Sequence, residues 1–166
     1  MKGNMRIGIG YDVHPLIPGR ELVLGGTEIP FGKGLEGWSD ADALTHAVMD
    51  ALLGAAALGD IGSHFPPGEL EYKDISSLML LDKVVEKLEE RGWRVVNIDA
   101  TVVAEKPRLR EYIDDMRQAL SQVLGVNINR VSVKASTSNG LGYIGSGEGI
   151  AAYAVAMIEG GQDEDN

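Results

Sequence analysis

Apolar and polar positions along the chain follow two periods, and the switches between them mark out the elements. "MRIGIGYD", residues 5–12, alternates as a strand does, and "ELVLGGTEIP", residues 21–30, is a pair of short apolar runs around Gly25 and Gly26, which predicts a hairpin. The stretch "WSDADALTHAVMDALLG", residues 38–54, has helical spacing, with Ala43, Leu44, Ala47, Val48, Ala51 and Leu52 covering most of its surface. Its start has the form of a capping box, Ser39-x-x-Asp42, in which hydroxyl and carboxylate satisfy orphan backbone donors. A second helix is expected over 75–91, with Leu78, Leu81, Val85 and Leu88 on one side and Gly92 as its stop. Beyond it, "WRVVNIDATVVA" predicts a strand, residues 107–125 a helix opened by Pro107, "RVSVKAS" a strand and "GIAAYAVAMI" a closing strand.

These elements add up to one α/β (α+β) domain over residues 1–158, a mixed sheet with its helices on one face. The strands "IDATVVA" and "AAYAVAMI" carry apolar groups on their other side too, so the second face needs cover. A homo-oligomer that packs sheet against sheet is the simplest cover. The acidic end, 159–166, is expected as a solvated tail.

Composition narrows the function classes. A length of 166 residues with 44% hydrophobic content suits one domain with a core of its own. The absence of cysteine removes disulfides, thiolate metal sites and cysteine nucleophiles, so any metal must be held by His, Asp or Glu. A formal charge of −10 argues against nucleic-acid binding by bulk electrostatics. No apolar run is long enough for a membrane span, and the opening residues lack the apolar core and cleavage site of a signal peptide, so no membrane association and a cytoplasmic location are expected.

Against this background the greasy helix raises a question, because Asp42, His46 and Asp50 lie four residues apart and share one of its faces. Asp42 has a structural explanation as a cap. Asp12 and His14 are two apart at a strand end, so they point the same way and can offer an oxygen and a nitrogen to one cation. With His46 they make three protein ligands and leave a fourth tetrahedral position open; the bland reading of His46 is a hydrogen-bonded core histidine. Asp50 either orients a ligand imidazole or satisfies a buried backbone group. His64 reads as a loop histidine.

"GIGYD" and "GSGEG" lack the glycine spacing of a dinucleotide fingerprint, and no G-K-[ST] is present, so Rossmann and Walker readings are discarded. "LGDIGSHFP" and "KASTSNGLGY" are glycine-rich loops whose N–H groups can meet a phosphate or serve as plain turns. Lys106, Arg108 and Arg110 cluster in an otherwise acidic chain, as a surface run or as an anion-binding corner.

"GIGYDVHP", "SDADALTHAVMDALLGAAALGDIGSHFP" and "GEGIA", in this order and spacing, resemble the 2-C-methyl-D-erythritol 2,4-cyclodiphosphate synthase family over residues 5–158. The resemblance implies ferredoxin-like elements, a homotrimer with its sheets around a threefold axis, and active sites between subunits. It also implies a reaction that turns 4-diphosphocytidyl-2-C-methyl-D-erythritol 2-phosphate into the cyclic diphosphate and CMP. Asp12, His14 and His46 match the family's zinc ligands, with Asp12 and His14 also close to substrate, and a second ion, magnesium or manganese, is held mainly by the substrate's phosphates.

Asp60 and Gly62 match residues that contact the methylerythritol unit, with Ile61 and Phe65 lining the same pocket. Ala104, Lys106, Pro107, Arg108, Leu109 and Arg110 fall in the cytidine-binding segment. Ser136 and Thr137 match hydroxyls that hold the phosphates, Thr137 as transition-state stabiliser, and the adjoining Ser138 belongs to the same substrate loop. Ser39 matches a phosphate-binding serine, and Tyr143 stands at an aromatic near the substrate.

Three residues depart from the pattern. Trp38 stands where the family commonly has a phosphate-contacting histidine, Asn139 where it has a metal-binding glutamate, and Ser146 where it has an arginine, which leaves Glu148 without that partner. Trp38 is therefore the altered member of a catalytic set with Ser39 and Thr137. Two other classes compete with the synthase: a zinc-stabilised trimer that binds cytidine nucleotide or isoprenoid diphosphate without turnover, and a metal-dependent phosphohydrolase.

Overall fold

A computed structural model describes residues 4–160. In chain order the elements are β1 (Met5–Pro18), β2 (Leu22–Leu24), β3 (Thr27–Ile29), β4 (Lys33–Leu35), α1 (Ala43–Ala55), α2 (Ile61–His64), α3 (Ser77–Glu90), β5 (Trp93–Val103), α4 (Ile113–Leu124), β6 (Val131–Ser136), α5 (Gly142–Gly145) and β7 (Gly149–Gly160). The main sheet has five strands in the order β4-β1-β7-β5-β6, antiparallel except for the parallel pair β5–β6. The fold is thus the expected single-domain α+β arrangement on a mixed sheet.

The alternation of β1 decides what lies on each side. Its odd-numbered residues face outward, and Ile7 and Ile9 are 70% and 72% exposed; the even-numbered Gly8, Gly10, Asp12 and His14 face α1. Helix α1 is the centre of the core, with every residue buried except Asp50 and Gly54. On the far side of the sheet Met5, Ile7, Ile9, Tyr11, Val13, Tyr153 and Val155 form an exposed apolar surface.

Several boundaries differ from the sequence reading, each for a local reason. The capping box does not form: Asp42, not Ser39, is the N-cap of α1, accepting Thr45 N–H at 2.9 Å, while Ser39 Oγ accepts from Ala41 N–H at 3.2 Å. Between them Ala41 adopts a left-handed backbone at φ 57°, so no helix can run through residues 38–42.

Pro107 does not open the fourth helix. It follows a cis peptide and precedes a 3-10 turn at Arg110–Tyr112, and α4 begins only at Ile113. Strand β1 continues past the expected residue 12 because it changes partner, pairing with β7 as far as Pro15 and then with β4 through Pro18. Strand β7 likewise continues through Glu159 and Gly160, and the rest of the expected tail, 161–166, lies outside the described residues.

The β2–β3 hairpin forms as expected, with Gly25 at φ 57° and Gly26 at φ 70°, the pair of positive angles that a type I′ turn requires. It stands apart from the main sheet and is tied to α1 by Asp42, whose carboxylate accepts Gly25 N–H at 2.9 Å and Gly26 N–H at 2.7 Å.

Candidate functional site

Packing between one strand and one helix brings three candidate ligands together. A Cβ on Gly10 would stand 1.8 Å from the Ala47 carbonyl oxygen, and one on Gly8 2.0 Å from that of Ala51, so strand and helix touch backbone to backbone. His46, the residue before Ala47, thereby reaches the helix-facing side of β1. Asp12 Oδ2 lies 2.8 Å from His14 Nε2 and 2.9 Å from His46 Nδ1, and the two nitrogens are 3.3 Å apart.

Each imidazole is held through its other nitrogen. His14 Nδ1–H donates to the Glu36 carbonyl oxygen at 2.7 Å, which leaves Nε2 as the free lone pair. His46 Nε2 lies 2.9 Å from Ser77 Oγ and 3.2 Å from Ser39 Oγ. Three electron-rich atoms therefore face one another, an arrangement that is favourable only around a cation or a shared proton.

In the metal-free protein a proton takes that place. Burial opposes ionisation of Asp12, but the hydrogen bonding and charge of the neighbouring imidazoles, His14 first, outweigh it and hold the carboxyl at about 2. Burial likewise works against the His14 imidazolium, and the hydrogen bond and charge of Asp12 override it and raise the pKa above 6.5. The donor set fits a metal as well: bonds of about 2.0–2.2 Å to tetrahedral zinc put ligand atoms roughly 3.3–3.5 Å apart, matching the 3.3 Å between the two nitrogens and wider by about half an ångström than their 2.8 and 2.9 Å approaches to Asp12 Oδ2.

The cluster opens into a cavity of about 200 Å³, lined also by Trp38, Ser39, Ile61, Gly62, Phe65 and Tyr72. Asp60 is not on its wall; it is the N-cap of α2, accepting Ser63 N–H at 2.9 Å and the Ser63 hydroxyl at 2.8 Å, and these bonds lower its pKa. Trp38 contributes an apolar wall, since its only donor, Nε1–H, is given to the Glu69 carbonyl oxygen at 2.9 Å. Asp50 does not bond a ligand imidazole: it accepts Ile61 N–H at 2.8 Å, and burial raises its pKa. His64 donates to the Leu58 carbonyl oxygen at 2.8 Å, outside the cluster.

A second cavity, of about 460 Å³, lies at the ends of β5 and β6, lined by Ala104, Pro107, Arg108, Leu109, Arg110, Ser136 and Thr137 among others. Lys106 is exposed beside it. The Thr137–Gly140 loop is held by Glu105, whose carboxylate accepts Ser138 N–H at 2.6 Å, and Asn139, at φ 53°, gives its N–H to Thr137 Oγ1 at 3.2 Å. Strands β1 and β6 are three places apart in the sheet, roughly 14 Å, so one chain does not join the two cavities into one.

Tyr143 and Ser146 lie away from both. Tyr143 Oη is 3.0 Å from Tyr11 Oη on the open sheet face, and the Ser146 hydroxyl donates to Glu148 at 2.7 Å, so Glu148 has a partner after all. The sequence reading missed Glu36, Asp40, Ser77 and Glu105, all of which hold site residues in place. None has a periodic signal, because each acts from a loop or a helix end.

Fold and site define a single-domain α+β protein whose sheet and central helix carry an Asp-His-His cluster able to hold a metal ion. The family model of the YgbB family matches residues 5–159, and the chain belongs to that family. It is 59% identical over 155 residues to the 2-C-methyl-D-erythritol 2,4-cyclodiphosphate synthase of Dehalococcoides mccartyi, an alignment covering 93% of this chain and 99% of that one. Among solved structures it is similar to the bifunctional IspDF from Campylobacter jejuni, with TM-score 0.91 and 36% identity over 95% of this chain, which spans 43% of that longer one. It is also similar to a CDP-bound 2C-methyl-D-erythritol-2,4-cyclodiphosphate synthase, with TM-score 0.85 and 33% identity, covering 92% of this chain and 99% of that one.

Proposed function

We propose that the protein is a 2-C-methyl-D-erythritol 2,4-cyclodiphosphate synthase, a phosphorus–oxygen lyase of non-mevalonate isoprenoid precursor biosynthesis working in the cytoplasm. The observation that carries the reading is the convergence of Asp12, His14 and His46 beside Ser39, in a chain that matches a curated relative over 93% of its length. The substrate is 4-diphosphocytidyl-2-C-methyl-D-erythritol 2-phosphate. A 2-phosphate oxygen forms a bond to the β-phosphorus, the bond from that phosphorus to the oxygen bridging to the α-phosphate breaks, and CMP leaves with the electron pair.

Bringing phosphate to phosphate needs positioning and positive charge more than covalent chemistry. Asp12, His14 and His46 would hold zinc, which supplies Lewis-acid polarisation of a phosphate oxygen. A second divalent ion, magnesium or manganese, held mainly by the substrate's phosphates, would supply further positive charge. The Ser39 hydroxyl orients a phosphate at the metal cavity, where Ile61, Gly62 and Phe65, with neighbouring Asp60, receive the methylerythritol unit.

The cytidine end sits in the second cavity against Ala104–Arg110, with Arg108, Arg110 and Lys106 offsetting phosphate charge. That a similar structure is described as bound to CDP supports a nucleotide there. Ser136 and Thr137 present hydroxyls at the cavity wall, with Ser138 next to them in the chain, and Thr137 steadies the phosphorus under attack.

The separation of the two cavities in one chain supports sites shared between subunits. The exposed apolar face of β1 and β7 supports the covering arrangement, a homotrimer with its sheets inward, where Tyr143 and Ser146 would meet a neighbouring copy. Trp38 in place of histidine leaves Ser39 and the metal to hold the phosphate, and Asn139 in place of glutamate offers the second ion a neutral oxygen. Both changes raise the demand for the second ion. Incubation with substrate over a manganese or magnesium titration tests this: CMP and cyclic product appear with a raised metal requirement, and no CMP at any concentration contradicts the reading.

A further inference from the structure

We propose that Asp40 and Ser77 form a positioning pair that fixes the ring proton of His46 on Nε2. This presents bare Nδ1 to a metal ion and leaves the Ser39 hydroxyl proton free for a phosphate oxygen. The inference deepens the reading above and rests on Asp12, His14 and His46 being a metal site.

The argument follows donors and acceptors through the network. An ionised Asp40 carboxylate only accepts: Oδ2 takes Ser77 N–H at 2.9 Å, and Oδ1 takes Asp42 N–H at 3.2 Å together with the Ser77 hydroxyl. With its one proton committed to Asp40, Ser77 Oγ offers His46 Nε2 only a lone pair, at 2.9 Å. The proton between them therefore belongs to His46. Neutral imidazole carries one ring proton, so Nδ1, 2.9 Å from Asp12 Oδ2, is left bare toward the cluster; Asp12 is the competing acceptor for that proton, and its own donor is His14 Nε2, 2.8 Å from Oδ2 and 3.3 Å from Nδ1.

Ser39 is constrained by the same proton. Its Oγ already accepts Ala41 N–H at 3.2 Å and faces the His46 Nε2–H at 3.2 Å, so both contacts use its lone pairs. Among the described residues nothing accepts its own proton, and Ser39 lines the metal cavity. Burial protects the arrangement: Ser77 is fully buried, and Ser39 and His46 are each 7% exposed. The pair also joins two helices, since Ser77 opens α3 and Asp40 precedes α1.

Removing the Ser77 hydroxyl takes away the nearer acceptor of Nε2–H and lets the ring carry its proton on Nδ1, toward Asp12, in a form that cannot ligate. The test titrates zinc into the metal-stripped full-length protein against a chelator of known affinity, for wild type, Ser77→Ala and Asp40→Asn. Side-chain ¹H–¹⁵N NMR of the metal-free proteins at alkaline pH reads the His46 tautomer alongside.

Zinc affinity is expected to fall by about tenfold to a hundredfold in Ser77→Ala, with His46 passing from the Nε2–H tautomer to a mixture. Asp40→Asn keeps the Ser77 side chain and is expected to shift both readouts the same way, so the test survives if Ser77→Ala fails to fold. Wild-type zinc affinity and an unchanged tautomer in a folded variant overturn the proposal, and a uniform loss of stability with neither readout moved marks a merely structural contact and overturns it too. A wild-type chain that binds no zinc overturns the metal reading itself, an outcome distinct from variants that bind zinc as wild type does.

Discussion

Gly10 of β1 and Ala47 of α1 are in backbone contact, and a single Cβ on the glycine would fall 1.8 Å from the Ala47 carbonyl oxygen. The contact sets how far His46 reaches toward Asp12, so it links packing to ligand geometry. Gly10→Ala must push helix from strand. It is expected to cost about 3 kcal/mol or more in chemical denaturation and to weaken zinc binding in the fraction that folds. Wild-type stability together with wild-type zinc affinity would show that the close approach is not what places His46.

Asp42 joins the start of α1 to the hairpin turn. It is fully buried, and besides Gly25 and Gly26 it accepts Thr45 N–H at 2.9 Å and the Thr45 hydroxyl at 2.7 Å. Burial, helped by the charge of nearby Asp40, raises its pKa, and the bonds from Thr45 and Gly26 partly offset the rise. Asp42→Ala strands three backbone donors at roughly 1–3 kcal/mol each, so a loss of about 3 kcal/mol or more is expected in urea unfolding. A loss within the ordinary range of surface substitutions would mean that water replaces the carboxylate.

How much of this was legible beforehand follows physical lines. The Asp12–His14 pair was readable because a strand's period of two puts both on one side, and the hairpin because Gly25 and Gly26 supply the positive φ angles that its turn needs. The start of α1 was misread because Ser39-x-x-Asp42 fits a capping box by spacing alone. Asp42 is a cap, as its spacing suggests, but the left-handed turn at Ala41 makes it the cap alone and releases Ser39 to the cavity. Asp40, Ser77 and Glu105 were invisible because their partners are brought together by tertiary packing, and the separation of the two cavities depends on strand order, which no local pattern encodes.

The Asp12–His14 pair gives the metal-free protein a pH signature. The Asp12 pKa is depressed from 3.8 to about 2, so its contribution is present above about 3.8 and is lost as pH falls through about 2. The His14 pKa is raised above 6.5, so its contribution is fully present below 6.5 and is lost as pH rises through the raised value. The stability difference between wild type and Asp12→Asn should therefore be largest between 3.8 and 6.5 and shrink at alkaline pH, read by melting of metal-stripped protein. Zinc affinity should move oppositely, weakening as acid protonates His14. A difference that stays constant from pH 3.8 into the alkaline range would separate the two residues energetically.

Ile9, 72% exposed on the open face, tests the assembly. Ile9→Asp places a charge where the sheets of a trimer would meet, while leaving the helix side of β1 untouched. The variant is expected to sediment as a folded monomer that still binds zinc but has lost turnover, because the cytidine cavity no longer meets the metal cavity of a neighbour. A monomer with full activity would place the whole reaction within one chain.

The central claim is that one phosphate of the substrate attacks the other and that water does not. Its most direct measurement is ³¹P NMR of the products from 4-diphosphocytidyl-2-C-methyl-D-erythritol 2-phosphate with zinc-loaded protein and manganese or magnesium. The account predicts equal amounts of CMP and the cyclic diphosphate. A linear phosphate product, or nucleotide bound without any CMP released, would contradict it.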